Sequence, residues 1–400
     1  MSSKLKLTIL IVVAVLAISG IALFIYGYFE SRNNGKTIGQ SIIDIFPRSN
    51  NATTTPNGQG GETEEPTDTD PIPVEKDPYI SRLQKISTAP VSGGFFSSTS
   101  TIRFIDKASG NIYEYSHYTK TNRKITSTTI PRIHDSYWLN KDVFVARYLN
   151  SDNETISSFV GTINNPGDRG VVITDFLPVN IKSVAVSPKK DFFFYIVKNG
   201  SFADGVIYNL AKKTAKNVAS LPNPEFTAVW GLDGIFVHNN ASFGLPGYLL
   251  KVQQTGGDAE FVLGPIEGLT VKPISGGFAL SSFKSNTNSF IYSTKTREYS
   301  QIMSVIVPEK CVTTSKYLYC ATDIAKTKNG FPDNWYRGEI QLNDILEKIE
   351  LENPANVSQE YTTVLSNEKL DMVNLSLSQD EKALLFMNNV DNSLWSLELE

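Results

Sequence analysis

The chain has 400 residues, 40% of them hydrophobic and 11% aromatic, with a formal net charge of −4. Its 22 Phe and 17 Tyr favour strands and supply a large core. The charge is uneven: residues 47–78 carry a net −5, while 79–400 holds 31 Lys and Arg against 32 Asp and Glu, leaving no basic footprint for nucleic acid.

Leu7 to Phe29 are 23 consecutive uncharged, mostly apolar residues. As a helix they would span roughly 34 Å, enough for a hydrocarbon core of about 30 Å. Lys4 and Lys6 precede the run and Glu30 and Arg32 follow it, which orients the N-terminus to the cytoplasm and residues 30–400 outside. The alternative is a cleaved signal peptide with Ala17 and Ser19 at its cleavage site. The apolar run continues through Ile21, Leu23, Phe24 and Ile25, beyond an ordinary signal core. Residues 30–78 read as a juxtamembrane stretch followed by a disordered acidic linker rich in Pro, Thr and Gly. Its 32 residues from 47 to 78 make a tether about 31 Å in mean span.

From residue 79 the pattern is all-β: short alternating runs separated by Gly, Asn, Asp, Ser and Lys turns. Val184-Ala-Val-Ser-Pro-Lys-Lys-Asp-Phe-Phe-Phe-Tyr195 aligns without gaps on Leu375-Ser-Leu-Ser-Gln-Asp-Glu-Lys-Ala-Leu-Leu-Phe386. Trp138-Leu-Asn-Lys-Asp-Val-Phe-Val145 aligns likewise on Trp230-Gly-Leu-Asp-Gly-Ile-Phe-Val237. These units resemble the TolB-type, WD40-like β-propeller repeats, whose a–b turn reads Ser-Pro-Asp-Gly. Here Ser187-Pro188-Lys189-Lys190 and Ser378-Gln379-Asp380-Glu381 keep part of that signature. The resemblance implies a propeller and is nearly silent on function.

Third strands fall near Tyr113, Ser157, Ile207, Leu249, Ile291, Leu346 and Trp395, at intervals of 42 to 55 residues. That spacing predicts seven blades, with six or eight left open because units one and five carry the weakest pattern. The last unit, 372–399, runs out of chain after three strands. Residues 79–87 are expected to supply the fourth and close the ring; the alternative is a disordered extension.

Cys311 and Cys320 face each other if Ser315-Lys316 is a two-residue hairpin loop, which predicts a structural disulfide in an outward-facing domain. Two cysteines without partners at ligand spacing do not suggest zinc. The three histidines, His117, His134 and His238, fall in separate units, with His238 read as a solvated loop residue. No G-x-S-x-G elbow, phosphate-cradling loop or paired-carboxylate motif stands out, so neither a catalytic residue nor a cofactor is assigned.

The irregular features are two long b–c loops, His238–Gly247 and Ile324–Asp344. They bring Phe243, Phe331, Trp335 and Tyr336 beside Asp333 and Arg337, an aromatic and Arg patch suited to a partner. The alternative is that Trp335 and Tyr336 fold back as a plug over the blade tips. The expectation is a bacterial single-pass envelope protein binding a protein or glycan and contacting the membrane through residues 7–29. A glycan lyase or hydrolase using the axial funnel is the competing class, and a passive spacer a third.

Overall fold

The most apolar runs in the body are the second strands of the repeats, and their position explains it. Phe192–Asn199 and Ala383–Asn388 lie inside four-stranded sheets and are covered on both faces by neighbouring sheets. Fourth strands are wetter; Thr121–Lys124 is exposed throughout. In this computed structural model the described residues are 82–400, apart from 168, 223, 324–329 and 363–367. The expected anchor, the linker and residues 79–81 lie outside them. Among the described residues no helix is long and apolar enough to cross a membrane.

The described residues form seven four-stranded antiparallel sheets, a seven-bladed propeller with almost no helix. Inner strands of blades 1 to 7 begin at Val91, Ile133, Ile181, Phe226, Leu269, Cys311 and Met372. One blade cannot bury two faces alone, so the core is divided into slabs, each shared by two successive blades. Between blades 3 and 4, for example, Phe194, Ile196 and Leu221 pack on Phe226, Ile235 and Val237.

Blade 7 takes its three chain-order strands from 372–398 and its outer strand from Leu83–Ser87. Leu83 faces Leu397, Gln84 faces Ser396 and Lys85 faces Trp395. Arg82, almost fully buried, reinforces the seam: its Nε donates to the Glu398 carbonyl at 2.8 Å and its guanidinium pairs with Glu360 at 2.9 Å. Two further buried arginines staple neighbouring blades. Arg103 of blade 1 pairs with Asp142 of blade 2 at 2.7 Å. Arg147 of blade 2 holds Asp135 and donates to the Ile181 carbonyl of blade 3 at 2.8 Å. Burial opposes the Asp135 charge, but the Arg147 bond outweighs it and draws that carboxyl down to about 2.

The a–b turns of blades 3 and 7 show why Ser recurs there. Ser187 Oγ donates to Asp191 and accepts the Phe192 amide at 3.1 Å. Ser378 Oγ donates to Asp380 and accepts the Ala383 amide at 2.9 Å. The fourth turn position, Gly in the repeat signature, is Lys190 (φ 58°) or Glu381 (φ 57°), both in the left-handed region.

Candidate functional site

The inner strands surround an axial channel in two parts. A chamber of about 730 Å³ opens on the b–c face, where Lys107, Asn389 and Asn392 line its rim. Its walls are the inner strands of blades 7, 1 and 2, with Lys272 of blade 5 and Glu309 just ahead of blade 6. A second space of about 600 Å³ opens on the opposite face, among the a–b turns of blades 3 to 7. Val186 and Lys272 line both spaces and so mark the waist.

Among the chamber's charged groups, Glu309 and Lys272 are perturbed by their surroundings. Glu309 is solvent-accessible at the chamber wall, yet the protein packed around it desolvates its carboxyl and raises it above the ordinary value. The Tyr336 hydroxyl, which donates to it, and the charges of Lys310 and Lys272 pull the other way. Desolvation likewise lowers the Lys272 ammonium, with Glu309 opposing. Tyr336 is 46% exposed, and local desolvation of its phenol together with the adjacent Glu309 charge pushes the hydroxyl well above its usual value. On the blade 2 wall, His134 stands exposed with Nδ1 2.9 Å from Asp135. On the blade 7 wall, a bulge in the inner strand puts Asn374 (φ 55°) at the chamber.

The blade 6 insertion forms part of the b–c face. Its single-turn helix Asp333–Tyr336 is far too short to be stable alone. Packing holds it: Phe331 and Trp335 are buried with Phe283, Val307 and Leu342, and Phe331 meets Phe283 edge-on at 4.8 Å. Each such ring contributes about 2–3 kcal/mol. Asp333 ties the helix to blade 4, accepting the Ser242 hydroxyl at 2.7 Å and the Phe243 amide at 2.6 Å. The structure therefore does bring Phe243, Phe331, Asp333, Trp335, Tyr336 and Arg337 together, but not as one open patch. Phe331 and Trp335 are plugged into the blade ends. Asp333 is occupied by the blade 4 loop, and Tyr336 by Glu309. Arg337 is exposed and pairs with Glu339 at 2.6 Å.

Beneath the cap lies a charged cluster that sequence reading missed. Lys310, fully buried, pairs with Asp344 at 2.8 Å and Asp371 at 2.6 Å. Asp371 also accepts the Trp335 indole N–H at 2.9 Å, and the Lys310 ammonium lies 5.1 Å from that ring. Burial raises the Asp344 carboxyl to about 6 against the pull of Lys310. Lys310 and Asp371 are 61 residues apart, so no local pattern announces the pairing. Glu309 and Lys272 gave equally little signal: Glu309 sits beside Lys310 in a short Pro-Glu-Lys turn, and Lys272 is a lone charge in a strand-like run.

The Cys311–Cys320 disulfide is present, across a hairpin with Cα atoms 4.1 Å apart. His238 corrects the sequence reading. It lies in the strand Gly234–Asn239, buried, with its imidazole depressed by desolvation and Nδ1 2.8 Å from the Asn239 carbonyl oxygen. The apolar run Ile235-Phe236-Val237 ahead of it carries the strand through to the first residue of the Asn pair that suggested a loop. Among the described residues no three His, Cys, Asp or Glu gather as a metal site.

No protein-family profile matches the chain, and no curated protein matches its sequence. Solved structures do match in fold. The β-propeller domain of the Trilobed protease from Pyrococcus furiosus, described as having an open velcro topology, is 9% identical over 78% of this chain and 94% of its own, with a TM-score of 0.52. Oligogalacturonate lyase from Vibrio parahaemolyticus is 8% identical over 79% of this chain and 93% of its own, with a TM-score of 0.50. The Cps50 (Swd1) β-propeller domain from Myceliophteria thermophila is 8% identical over 80% of this chain and 100% of its own, also at 0.50. At these identities the likeness is one of fold alone.

Proposed function

We propose that this chain is an outward-facing binding module of the cell envelope, held to the membrane by residues 7–29 and the acidic tether. It presents the b–c end of its channel to a protein or glycan. The observation that supports this reading is the chamber of about 730 Å³ beside a fixed cap, with unlike polar groups (Lys107, His134, Glu309, Asn374, Asn392) converging on one opening. A preformed concavity with a few convergent polar groups is what recognition needs, and a fastened cap lowers the entropic cost of binding. The double variant His134→Ala, Glu309→Gln should fold as the parent does and lose retention of the partner or glycan on native membranes. Retention equal to the parent's would overturn the reading.

A second reading rests on the same chamber. A carboxyl raised and an ammonium lowered by desolvation are the states a general acid and base require. This makes a glycan lyase or hydrolase the alternative. Incubation with oligogalacturonate, followed for product release, separates the two, since a binding module leaves the chains intact.

A further inference from the structure

The opposite mouth of the channel is unused by that reading, and its chemistry differs. The space of about 600 Å³ is walled by Val186, Val229, Trp230, Pro273 and Ile274, with Leu232 at the lip 73% exposed. At its inner end stands Lys272. Among the described residues no carboxylate lies within ion-pair distance of that ammonium, and Glu309, its nearest electrostatic counterweight, already accepts the Tyr336 hydroxyl. Among the described residues one carboxylate lines this mouth, Glu381, on the exposed turn of blade 7. The Thr314 hydroxyl is committed to its own turn, accepting the Tyr317 amide at 2.8 Å.

We propose that this mouth binds a small carboxylate with an apolar body, the body packed on Val229, Trp230 and Pro273 and the carboxylate on Lys272 Nζ. An apolar cavity of this volume with a single half-buried cation is the arrangement that selects such a ligand. A lone lysine, with no arginine beside it and Glu309 across the waist, balances one negative charge rather than the two of a phosphate ester. A ligand here also removes water from Lys272, which strengthens the pair it forms. Lys272 is common to both spaces, whereas Val229, Trp230 and Pro273, which hold the apolar body, line this mouth and not the b–c chamber.

Calorimetric titration of the full chain with 2-naphthoate and with its neutral isostere 2-naphthamide tests the proposal. The carboxylate should bind at least about tenfold more tightly, the scale of one charge-assisted hydrogen bond. Lys272→Met should abolish that preference and leave 2-naphthamide binding unchanged, while Trp230→Ala should weaken both. Decanoate against decanamide shows whether the body is alkyl or aryl, and preference for the acid in either pair supports the site. Absence of a preference in both pairs on the parent protein, a result needing no variant, overturns it, as does a preference that survives in Lys272→Met. The His134→Ala, Glu309→Gln variant should keep binding 2-naphthoate even where partner retention is lost, so either reading can fail alone.

Discussion

Glu381 and Lys190 occupy equivalent turn positions with positive φ, where a side chain costs about 1 kcal/mol relative to glycine. Glu381→Gly should therefore stabilise the protein by about that amount. Lys190→Gly should gain less, because the Lys190 ammonium sits 4.2 Å from the Phe95 ring, a contact worth about 0.5–1 kcal/mol. Urea midpoints of the two variants order the effects, and equal gains would contradict the argument. Asp344 gives a pH prediction. Its folded carboxyl, at about 6, lies above the ordinary 3.8, so the folded state binds the proton more tightly. The group's contribution is then most favourable below the unfolded value and falls as pH rises from about 4 to 6. Asp344→Asn, which leaves Lys310 paired with Asp371, should gain on the parent in stability across that window. A difference independent of pH would sink the assignment.

At the scale of elements, the cap and the seam carry the strongest expectations. Trp335→Ala should cost about 3–5 kcal/mol, because it empties a packed site and leaves the Asp371 oxygen without the indole. Arg337→Ala should stay within about 0.5 kcal/mol, its partner being an exposed Glu339. Thermal denaturation of both distinguishes a plug from a free patch. Deleting residues 82–87 should strip the partner strand from Leu394–Glu398 and speed amide exchange throughout blade 7, with blades 2 to 4 little changed. The legible parts of these elements were those governed by short-range arithmetic. Cys311 and Cys320 face each other because hairpin register follows from loop length, and the third strands recur because blades repeat. The cap was legible only as an unusual loop. Whether Trp335 points outward depends on Asp371, Lys310 and Phe283, far away in sequence, and periodicity is blind to such partners.

For the whole molecule, the ring sets the function's geometry. Seven blades leave an axial channel, and the channel's charged groups come from blades 1, 2, 5, 6 and 7 at sequence separations no motif spans. The repeats thus made the fold readable, while the chamber exists only once the blades are brought round the axis. If the b–c end is the capture face, contact with a partner should be confined to it. The most direct measurement is photocrosslinking on native membranes, with benzoylphenylalanine placed at Asn392 on the chamber rim or at Asn217 on the outer strand of blade 3. The account predicts a discrete adduct from position 392 that disappears in the His134→Ala, Glu309→Gln background, and none from 217. Adducts of the same kind from both positions, or none from 392, would contradict it.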